Sequence, residues 1–249
     1  MEKSASIFRF KRFSVVNERS AMKVNTDGVL LGAVMTLFPE DRRLLDIGTG
    51  TGTISLMAAQ RMTDICPSEK CCVDAIDIDE ASASEADANF RNSPWGDVLH
   101  AYHVSLEEFV SQAKPGGYDL IFSNPPYFDN ALQAPEERRN AARHTSTGLS
   151  YREILDFAAQ SLSPAGRVAL VLPADTEHDL ARYARMSGLY LYKITRVRTV
   201  ARKAPSRIIA EFSRNRVDSP QERVLTIQEG GRYTQEYLAV MKDFYLFAC

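Results

Sequence analysis

One short stretch of the chain carries residue types suited to holding a planar amino group. Residues 123–128 are Ser-Asn-Pro-Pro-Tyr-Phe, directly after a predicted strand. Pro125 and Pro126 fix two φ angles and remove two N–H donors, which gives a rigid bend with bare carbonyls. The side-chain oxygen of Asn124 and the carbonyl of Pro125 can then accept both protons of an exocyclic NH₂, while Tyr127 stacks on its plane. Such a site orients the nitrogen lone pair and stabilises positive charge that develops on it.

A glycine-rich turn lies upstream, where residues 46–52 are Asp-Ile-Gly-Thr-Gly-Thr-Gly after another predicted strand. Glycines allow a tight turn and a close approach of ligand to backbone, and the turn opens a helix whose N-terminus favours negative groups. The third glycine comes one residue too early for a nicotinamide fingerprint, and the GK[S/T] of a P-loop is missing. The next strand ends at Asp77, whose carboxylate can accept both hydroxyls of a ribose. Asp79 is predicted to cap the following helix.

These two stretches resemble motifs I and IV of the class I S-adenosylmethionine-dependent methyltransferases. Motif IV of this form occurs in members that methylate an amino group of adenine N6, guanine N2 or a glutamine amide. The resemblance implies S-adenosylmethionine as cofactor, with Asn124, Pro125, Pro126 and Tyr127 as the catalytic tetrad. Ser105 stands where the family often has an acid near the cofactor adenine. The implied cofactor-binding set is Thr26, Asp46, Gly48, Gly50, Gly52, Asp77, Ser105 and Asn124.

The elements that must position these residues alternate along most of the chain. Predicted strands 43–47, 72–77, 98–104, 118–123 and 167–172 alternate with predicted helices 53–62, 80–92, 106–112, 151–162 and 174–187. Strands at 190–200, 207–214 and 223–228 and a helix at 237–244 follow. Residues 6–17 are predicted to form a strand or hairpin, and Thr26 and Asp27 to cap a helix that ends near Met35.

This pattern predicts an α/β fold with a doubly wound, mostly parallel, seven-stranded Rossmann-like sheet, antiparallel C-terminal edge strands and a short N-terminal extension. The chain has no internal repeat and no long Pro/Gly linker. We therefore expect one methyltransferase domain over residues 1–249, with 1–27 as a basic extension and 28–249 as the catalytic core.

Further segments narrow the substrate class. Residues 10–13, 22–32, 93–95 and 244–247 resemble the family that methylates adenine N6 beside the anticodon of valine tRNA. That resemblance implies methyl transfer to adenine-37 of valine tRNA, and tRNA as partner. The tetrad alone leaves three alternatives open: a release-factor-type protein glutamine N5-methyltransferase, an rRNA guanine N2-methyltransferase, and a non-catalytic RNA-binding module.

Charge is unevenly distributed, although the net charge is only −2. Residues 1–25 hold six basic and two acidic residues, and residues 182–207 hold eight basic residues and no acid. Residues 64–108 hold eleven acids and two basic residues. Separated basic segments suit a polyanion. His144 is predicted to be a substrate-loop residue, since methyl transfer to an amine needs no base before attack. The candidate RNA-contacting residues are Lys11, Arg12, Lys23, Arg138, Arg139, Arg196, Arg198 and Arg202.

Composition excludes several protein classes. The 249 residues are 45% hydrophobic and 25% charged, a globular balance that excludes a largely disordered chain. No apolar run approaches the roughly 20 residues of a membrane helix, and the N-terminus lacks the apolar core of a secretory signal. The four cysteines form no CxxC pair, so we expect reduced thiols and no metal site. We expect a soluble, cytoplasmic protein, with a monomer favoured.

Overall fold

The computed structural model describes residues 6–112, 117–126 and 149–247. Helices and strands alternate through the central part of the chain, in the order predicted. The strands are β1 (Ile7–Arg9), β2 (Ser14–Val16), β3 (Arg43–Ile47), β4 (Cys72–Asp77), β5 (Leu99–His103), β6 (Tyr118–Ser123), β7 (Leu162–Pro173), β8 (Tyr190–Val200), β9 (Arg207–Ser213), β10 (Gln221–Glu229) and β11 (Arg232–Tyr233). The helices are α1 (Thr26–Val34), α2 (Thr53–Ile65), α3 (Glu80–Arg91), α4 (Leu106–Gln112), α5 (Tyr151–Ser161), α6 (Glu177–Met186) and α7 (Gln235–Met241), with a 3₁₀ turn at Ala174–Thr176.

The main sheet has the strand order β11-β10-β8-β9-β7-β6-β3-β4-β5. Strands β3 to β7 pair in parallel, whereas β9 is antiparallel to both β7 and β8. Strand β8 therefore runs in the same direction as β7, and β10 pairs with β8 in parallel. The carboxyl ends of β3, β4, β6, β8 and β10 thus lie at one side of the sheet, called here the carboxyl edge. Ligands of open α/β sheets bind at such an edge.

The doubly wound, mostly parallel α/β fold with antiparallel C-terminal strands is confirmed, with two differences of detail. The sheet has nine strands instead of seven, because β10, predicted as a strand at 223–228, and the unpredicted β11 both join it. The antiparallel strand β9 lies inside the sheet, not at its edge. Six of its seven residues, Ile208–Ser213, are buried. An edge position would have left one row of its backbone groups unpaired, and that cost explains the interior placement.

Apolar residues fill both faces of the sheet. Leu44 and Leu45 are adjacent on β3, yet they belong to two different core clusters, because neighbouring side chains of a strand point to opposite faces. One cluster lies under α1, α2 and α7, and the other under α5 and α6. The sheet is therefore covered on both sides, and its carboxyl edge stays available for function.

The N-terminal residues pack into the first of these clusters. Strands β1 and β2 form the predicted hairpin. Phe10 and Phe13 stack with ring centroids 4.5 Å apart, and Phe13 meets the edge of Trp95 at 5.8 Å. Both phenylalanines are buried. The hairpin is thus anchored to the core by apolar contact.

Helix α1 is capped one residue earlier than predicted. Its N-cap is Asn25, whose side-chain oxygen accepts a hydrogen bond from the Gly28 backbone N–H at 2.9 Å. The expectation that Thr26 or Asp27 would cap the helix is wrong, because both already have helical geometry. This shift places Asn25 in the extended segment that leads into the helix, where its side chain faces the site described next.

Candidate active site

The glycine turn and the second acid meet at the carboxyl edge, where β3 and β4 end side by side. The backbone N–H groups of Gly48 and Thr49 both donate to the carbonyl of Ile76, at 2.9 and 3.0 Å. The turn is thereby folded over the end of β4 before it enters α2. This brings Asp77 of β4 against the loop that follows β3.

Asp46 lies beneath the turn and holds its shape. One oxygen of its carboxylate accepts from the hydroxyls of Thr49 at 2.8 Å and Ser55 at 2.7 Å. Its other oxygen, Oδ1, is buried with no hydrogen-bond partner in the described part of the chain. Complete burial raises the pKa of Asp46 to about 7, because desolvation disfavours the charged form more than the two hydroxyls favour it.

The absence of a side chain matters at two of the three glycines, for a different reason at each. All three have positive φ angles. A Cβ at Gly52 would lie 2.5 Å from Cε1 of Phe90 on α3, so Gly52 is required by packing between helices. A Cβ at Gly48 would meet Leu149 at 3.4 Å and no other described residue within 4 Å. Gly48 therefore keeps a stretch of backbone open to a ligand, whereas Gly52 serves the fold.

Asp77 is held by the loop that it faces. One oxygen accepts from the Gly50 N–H at 2.8 Å and the other from the Asp79 N–H at 2.9 Å. Each oxygen retains a lone pair for a further donor. Burial is the largest cause of a raised pKa at Asp77. The adjacent Ile78 is 72% exposed, a large apolar surface beside the carboxylate that the sequence analysis missed. Asp79 caps α3, as predicted, through Ser82.

These features fit S-adenosylmethionine. A backbone bare of Cβ atoms at Gly48 admits the close approach of a chain-like ligand. Asp77 offers two fixed carboxylate oxygens to a diol, and Ile78 offers an apolar surface next to it for a planar ring. The buried, unpartnered Oδ1 of Asp46 is an acceptor beneath the same turn. The group that binds here therefore has hydrogen-bond donors and an aromatic part.

Asn124 lies beside the turn, at the end of β6. The hydroxyl of Ser123 donates to the carbonyl of Ile47 at 2.6 Å, which ties the end of β6 to the end of β3. Asn124 and Pro125 are buried, and Pro126 is exposed. The amide nitrogen of Asn124 donates to Oδ1 of Asn25 at 3.4 Å and contacts the sulfur of Met22 at 3.5 Å. Tyr127, Arg138, Arg139 and His144 lie outside the described residues, and their roles stay predictions.

The N-terminal segment brings Asn25 to this position, a connection that the sequence analysis missed. Glu85 of α3 is buried, and its carboxylate accepts from the backbone N–H groups of Glu18, Arg19 and Ser20 at 2.9, 2.7 and 3.1 Å. Asn89, one turn later, bonds both the Val16 carbonyl and the Thr51 carbonyl. Glu85 and Asn89 lie four residues apart on the buried face of α3 that also carries Ala86, and polar residues on that face were the available signal. They fasten residues 16–20 across the start of α2.

Two predicted cofactor residues have other contacts. The hydroxyl of Ser105 lies 2.9 Å from Oε2 of Glu108 and accepts from the Glu108 N–H, which makes it the cap of α4. Thr26 is exposed and lines a cavity between α1 and strands β8–β10. Asn25, one residue earlier, is the residue that reaches Asn124. Cofactor contacts by Ser105 and Thr26 stay predictions.

The N-terminal basic residues separate in space. Arg12 pairs with Asp64 at 2.6 Å, and Asp64 is the penultimate residue of α2. Helix α2 starts at the carboxyl edge and its 13 residues rise about 20 Å. The helix carries this ion pair towards the opposite edge of the sheet, and RNA contact by Arg12 stays a prediction. Lys11 is beside it, bonded to the Lys242 carbonyl. Lys23 is near the site, in the segment between Met22 and Asn25.

The basic segment 182–207 is partly neutralised by acids from elsewhere in the chain. Arg196 lies between Glu177 and Glu222, at 2.5 and 2.8 Å, which raises its pKa. Arg198 donates to the Thr226 hydroxyl. Arg202 lies past the end of β8, in the exposed turn to β9. The alternation of side chains along a strand therefore does not place it on the same face as Arg196 and Arg198. Arg202 and Lys203 form no ion pair within the described residues. Arg182, Lys193 and Arg207 also pair with acids.

The described ranges contain neither a metal-binding cluster nor a membrane-spanning helix. Among residues 6–112, 117–126 and 149–247, no group of three or more His, Cys, Asp or Glu side chains is placed to hold a metal ion. Within the same ranges, no helix combines the length and the apolar character needed to cross a membrane. Cys66, Cys71 and Cys72 are free thiols.

Comparison with known proteins gives consistent results at the level of sequence. Residues 20–183 match the family model of the methyltransferase small domain. A tRNA1(Val) (adenine(37)-N6)-methyltransferase of Parabacteroides distasonis is 42% identical over 240 residues, which cover 96% of this chain and 97% of that protein. A protein of the same name from Flavobacterium psychrophilum is 39% identical over 240 residues, covering 96% and 99%.

Comparison with solved structures identifies the fold. A predicted O-methyltransferase from Agrobacterium tumefaciens superposes with a TM-score of 0.60 at 14% identity, covering 88% of this chain and 96% of that one. A putative RNA methyltransferase from Pyrococcus horikoshii gives a TM-score of 0.52 at 14% identity, covering 79% and 86%. At these identities the likeness concerns the fold alone.

Proposed function

This chain belongs to the family of tRNA1(Val) (adenine(37)-N6)-methyltransferases, and from that premise we propose that it transfers a methyl group from S-adenosylmethionine to the N6 amino group of adenine-37 in valine tRNA. The single observation that carries the chemistry is the position of Asn124. Its buried amide lies beside the glycine turn, with its nitrogen directed to Asn25 and Met22. We propose that its side-chain oxygen accepts a hydrogen bond from the incoming amine.

The cofactor is held by the turn and the acid beside it. Gly48 and Gly50 present bare backbone, and Asp77 accepts the ribose hydroxyls while it stays fixed by Gly50 and Asp79. Asp46 and Gly52 act indirectly. Asp46 holds the turn in shape, and Gly52 leaves room for the ring of Phe90. When bound, the cofactor supplies an electrophilic methyl group on a positively charged sulfur.

The tetrad prepares the amine for attack. An aromatic amine is a poor nucleophile, because its lone pair is delocalised into the ring. The Asn124 side-chain oxygen and the Pro125 carbonyl accept hydrogen bonds from its two N–H groups. These bonds draw the nitrogen towards a tetrahedral shape and stabilise positive charge on it. No general base is required before attack, and the proton leaves the charged nitrogen to water afterwards. Tyr127 is proposed to stack on the adenine.

RNA contact is proposed for the basic residues near the carboxyl edge: Lys23, Arg198 and Arg202, together with Arg138 and Arg139. Arg196 belongs to this set only to the extent that its two glutamates leave its charge available. Lys11 and Arg12 are left out of this set, because Arg12 pairs with Asp64 at the end of α2 away from the carboxyl edge. We place the enzyme in the cytoplasm, where its tRNA substrate is found, and expect it to act as a monomer.

The experiment that tests the function uses purified protein, labelled S-adenosylmethionine and separate pools of unmodified tRNA, ribosomal RNA and release factor. We expect label in tRNA, and within tRNA in valine isoacceptors. Label in release factor would support the glutamine N5 alternative, and label in ribosomal RNA the guanine N2 alternative. Asn124→Ala is the matched control, since it should bind the cofactor and transfer little label to any pool.

A further inference from the structure

A cavity of about 550 Å³ opens at the carboxyl edge, in the part of the sheet formed by β8, β9 and β10. It lies between the N-terminus of α1 and the ends of β8 and β10, where β9 begins. Because β8 runs parallel to β7, this end of β8 is at the same edge as Asn124. Its wall includes Thr26, Thr199, Ser206, Arg207, Gln228 and Tyr233.

The cavity begins one residue from the site of methyl transfer. The side chain of Asn25 contacts Asn124 at 3.4 Å, and the next residue, Thr26, forms part of the cavity wall. A ligand that spans both places would need two planar groups on one continuous chain. Successive bases of a single RNA strand satisfy this requirement.

The wall chemistry suits the edge of a base. Thr199 and Ser206 contribute hydroxyls that donate or accept, and Gln228 contributes an amide that does both. Tyr233 and Tyr237 form an aromatic part of the wall, with ring centroids 5.0 Å apart. The guanidinium of Arg207 is oriented by Asp27 at 2.8 Å. The volume is within the range of small-molecule sites, roughly 300–1,000 Å³.

The surroundings carry positive charge suited to a phosphate backbone. Arg202 and Lys203 are exposed in the turn between β8 and β9, and Arg232 is exposed at the start of β11. Within the described ranges, none of the three forms an ion pair. Asp27 is engaged with Arg207, and Glu229 is the exposed acid closest in sequence to Arg232. The balance of charge favours an anionic chain over an acidic or neutral protein segment.

We propose that this cavity receives an unstacked base that neighbours the target adenine in the same RNA loop. The proposal rests on the proposed function, and adds to it a second base-binding site. Two bases of the loop are then held at once, one at Asn124 and one between α1 and β8. The second base fixes which nucleotide can reach the first site, so the cavity contributes to substrate choice.

The test combines a filled cavity with a missing base. Thr199→Trp places a large ring in the cavity, and Val224→Trp, an exposed position on β10, is the matched control. Dissociation constants are measured for anticodon stem-loops of valine tRNA that are intact or abasic at position 36 or at position 38. For the unchanged enzyme and Val224→Trp, we expect one of the two abasic sites to weaken binding roughly tenfold. For Thr199→Trp, we expect the intact RNA to bind as weakly as that abasic RNA, with no further loss when the base is missing.

Equal weakening of intact and abasic RNAs by Thr199→Trp, or no abasic effect in the unchanged enzyme, would overturn the proposal. Gln228→Ala gives a second route, since it removes hydrogen bonds without adding bulk, and it should reduce the abasic penalty in the same way. Methylation of full-length tRNA at position 37 is measured alongside. Its absence would contradict the proposed function, whereas additive binding losses with normal methylation would contradict the cavity proposal alone.

Discussion

The carboxyl edge has two halves that are built differently. In the glycine-turn half, Asp46 bonds Thr49 and Ser55, three and nine residues away, and all three are buried. In the half formed by β8, β9 and β10, Arg207 pairs with Asp27, 180 residues away, and both are partly exposed. The contacts of Asp46 are local in sequence, whereas the second half is assembled from distant parts of the chain. Asn124 and Asn25 lie where the two halves meet.

This difference matches the different demands of the two ligands, the cofactor and the RNA loop. A cofactor common to a large family can be held by a local motif, because the ligand never changes. An RNA loop requires a surface made from several segments, whose shape and charge can vary without disturbing the motif. Changes in the first half should therefore affect cofactor affinity, changes in the second half RNA affinity, and changes at the junction the rate.

The largest effect is expected at the junction, from Asn124→Ala. Loss of one preorganised acceptor should lower kcat by about 10²–10³, with cofactor and RNA affinities little changed. Single-turnover methylation and two binding titrations measure the three quantities. A rate loss accompanied by an equal loss of cofactor affinity would show that the halves are not separate.

Asn124→Asp refines the same test. The carboxylate keeps an acceptor, so this variant should retain far more activity than Asn124→Ala. It also places an oxygen where the amide nitrogen now faces Oδ1 of Asn25, which cannot turn away without losing the cap on Gly28. Asn25→Ser keeps a capping hydroxyl but no longer reaches residue 124, so adding it to Asn124→Asp should raise the rate further. Equal inactivity of Asp and Ala variants that still bind both ligands would refute the acceptor role.

The second effect is in the cofactor half, from Asp77→Ala. Removal of a carboxylate that accepts two hydroxyls should weaken S-adenosylmethionine binding by roughly 1.5–3 kcal/mol, or about tenfold or more. RNA affinity should be unchanged. Calorimetry with S-adenosylmethionine measures the loss, and an unchanged cofactor affinity would exclude Asp77 from the ribose.

Much of the cofactor half could be predicted from the sequence, because its signals are local. The glycines, Asp77 and Asn124 were all found from short motifs at strand ends, and strands β4 and β6 begin and end where predicted. The Asn25–Asn124 contact and the Glu85 anchor could not be predicted, since each depends on how separate elements pack. For the same reason the sequence did not show that acids pair with basic residues of 182–207, since the partners of Arg196 and Arg207 lie outside that segment.

The third effect is in the RNA half, from reversal of Arg202 and Lys203 to Glu. Loss of two phosphate contacts should weaken tRNA binding and lower the slope of log affinity against log salt by up to about two. Cofactor affinity should stay the same. Arg196→Gln is the informative comparison, since its charge is already engaged by Glu177 and Glu222 and its change should cost stability more than RNA binding. A larger loss of RNA affinity from Arg196→Gln would reverse this assignment.

A separate effect, on stability instead of on rate or affinity, concerns the pH dependence of the cofactor half. The pKa of Asp46 is about 7 in the folded chain and about 3.9 when unfolded, so between these values the folded state holds a proton that the unfolded state releases. Stability therefore falls as pH rises from about 4 to 7, by at most about 1.4 kcal/mol per pH unit from this group, and the loss is complete above 7. Asp46→Asn lacks this loss. Urea unfolding from pH 4.5 to 8 measures the free energy of unfolding of both proteins. The value for Asp46→Asn should rise relative to that of the unchanged protein as pH rises. A difference that does not change with pH would mean that the Asp46 pKa is not raised.

The most direct measurement of the central claim is the identity of the methylated atom. Unmodified valine tRNA is incubated with S-adenosylmethionine and the unchanged enzyme, and its digested nucleosides are identified by mass spectrometry. The same is done with a transcript that carries guanosine at position 37. We predict N6-methyladenosine at position 37 of the first RNA and no methylated nucleoside in the second. Methylation at another position, on another atom, or of the guanosine-37 transcript would contradict the assignment of adenine N6 to the site formed by Asn124 and Pro125.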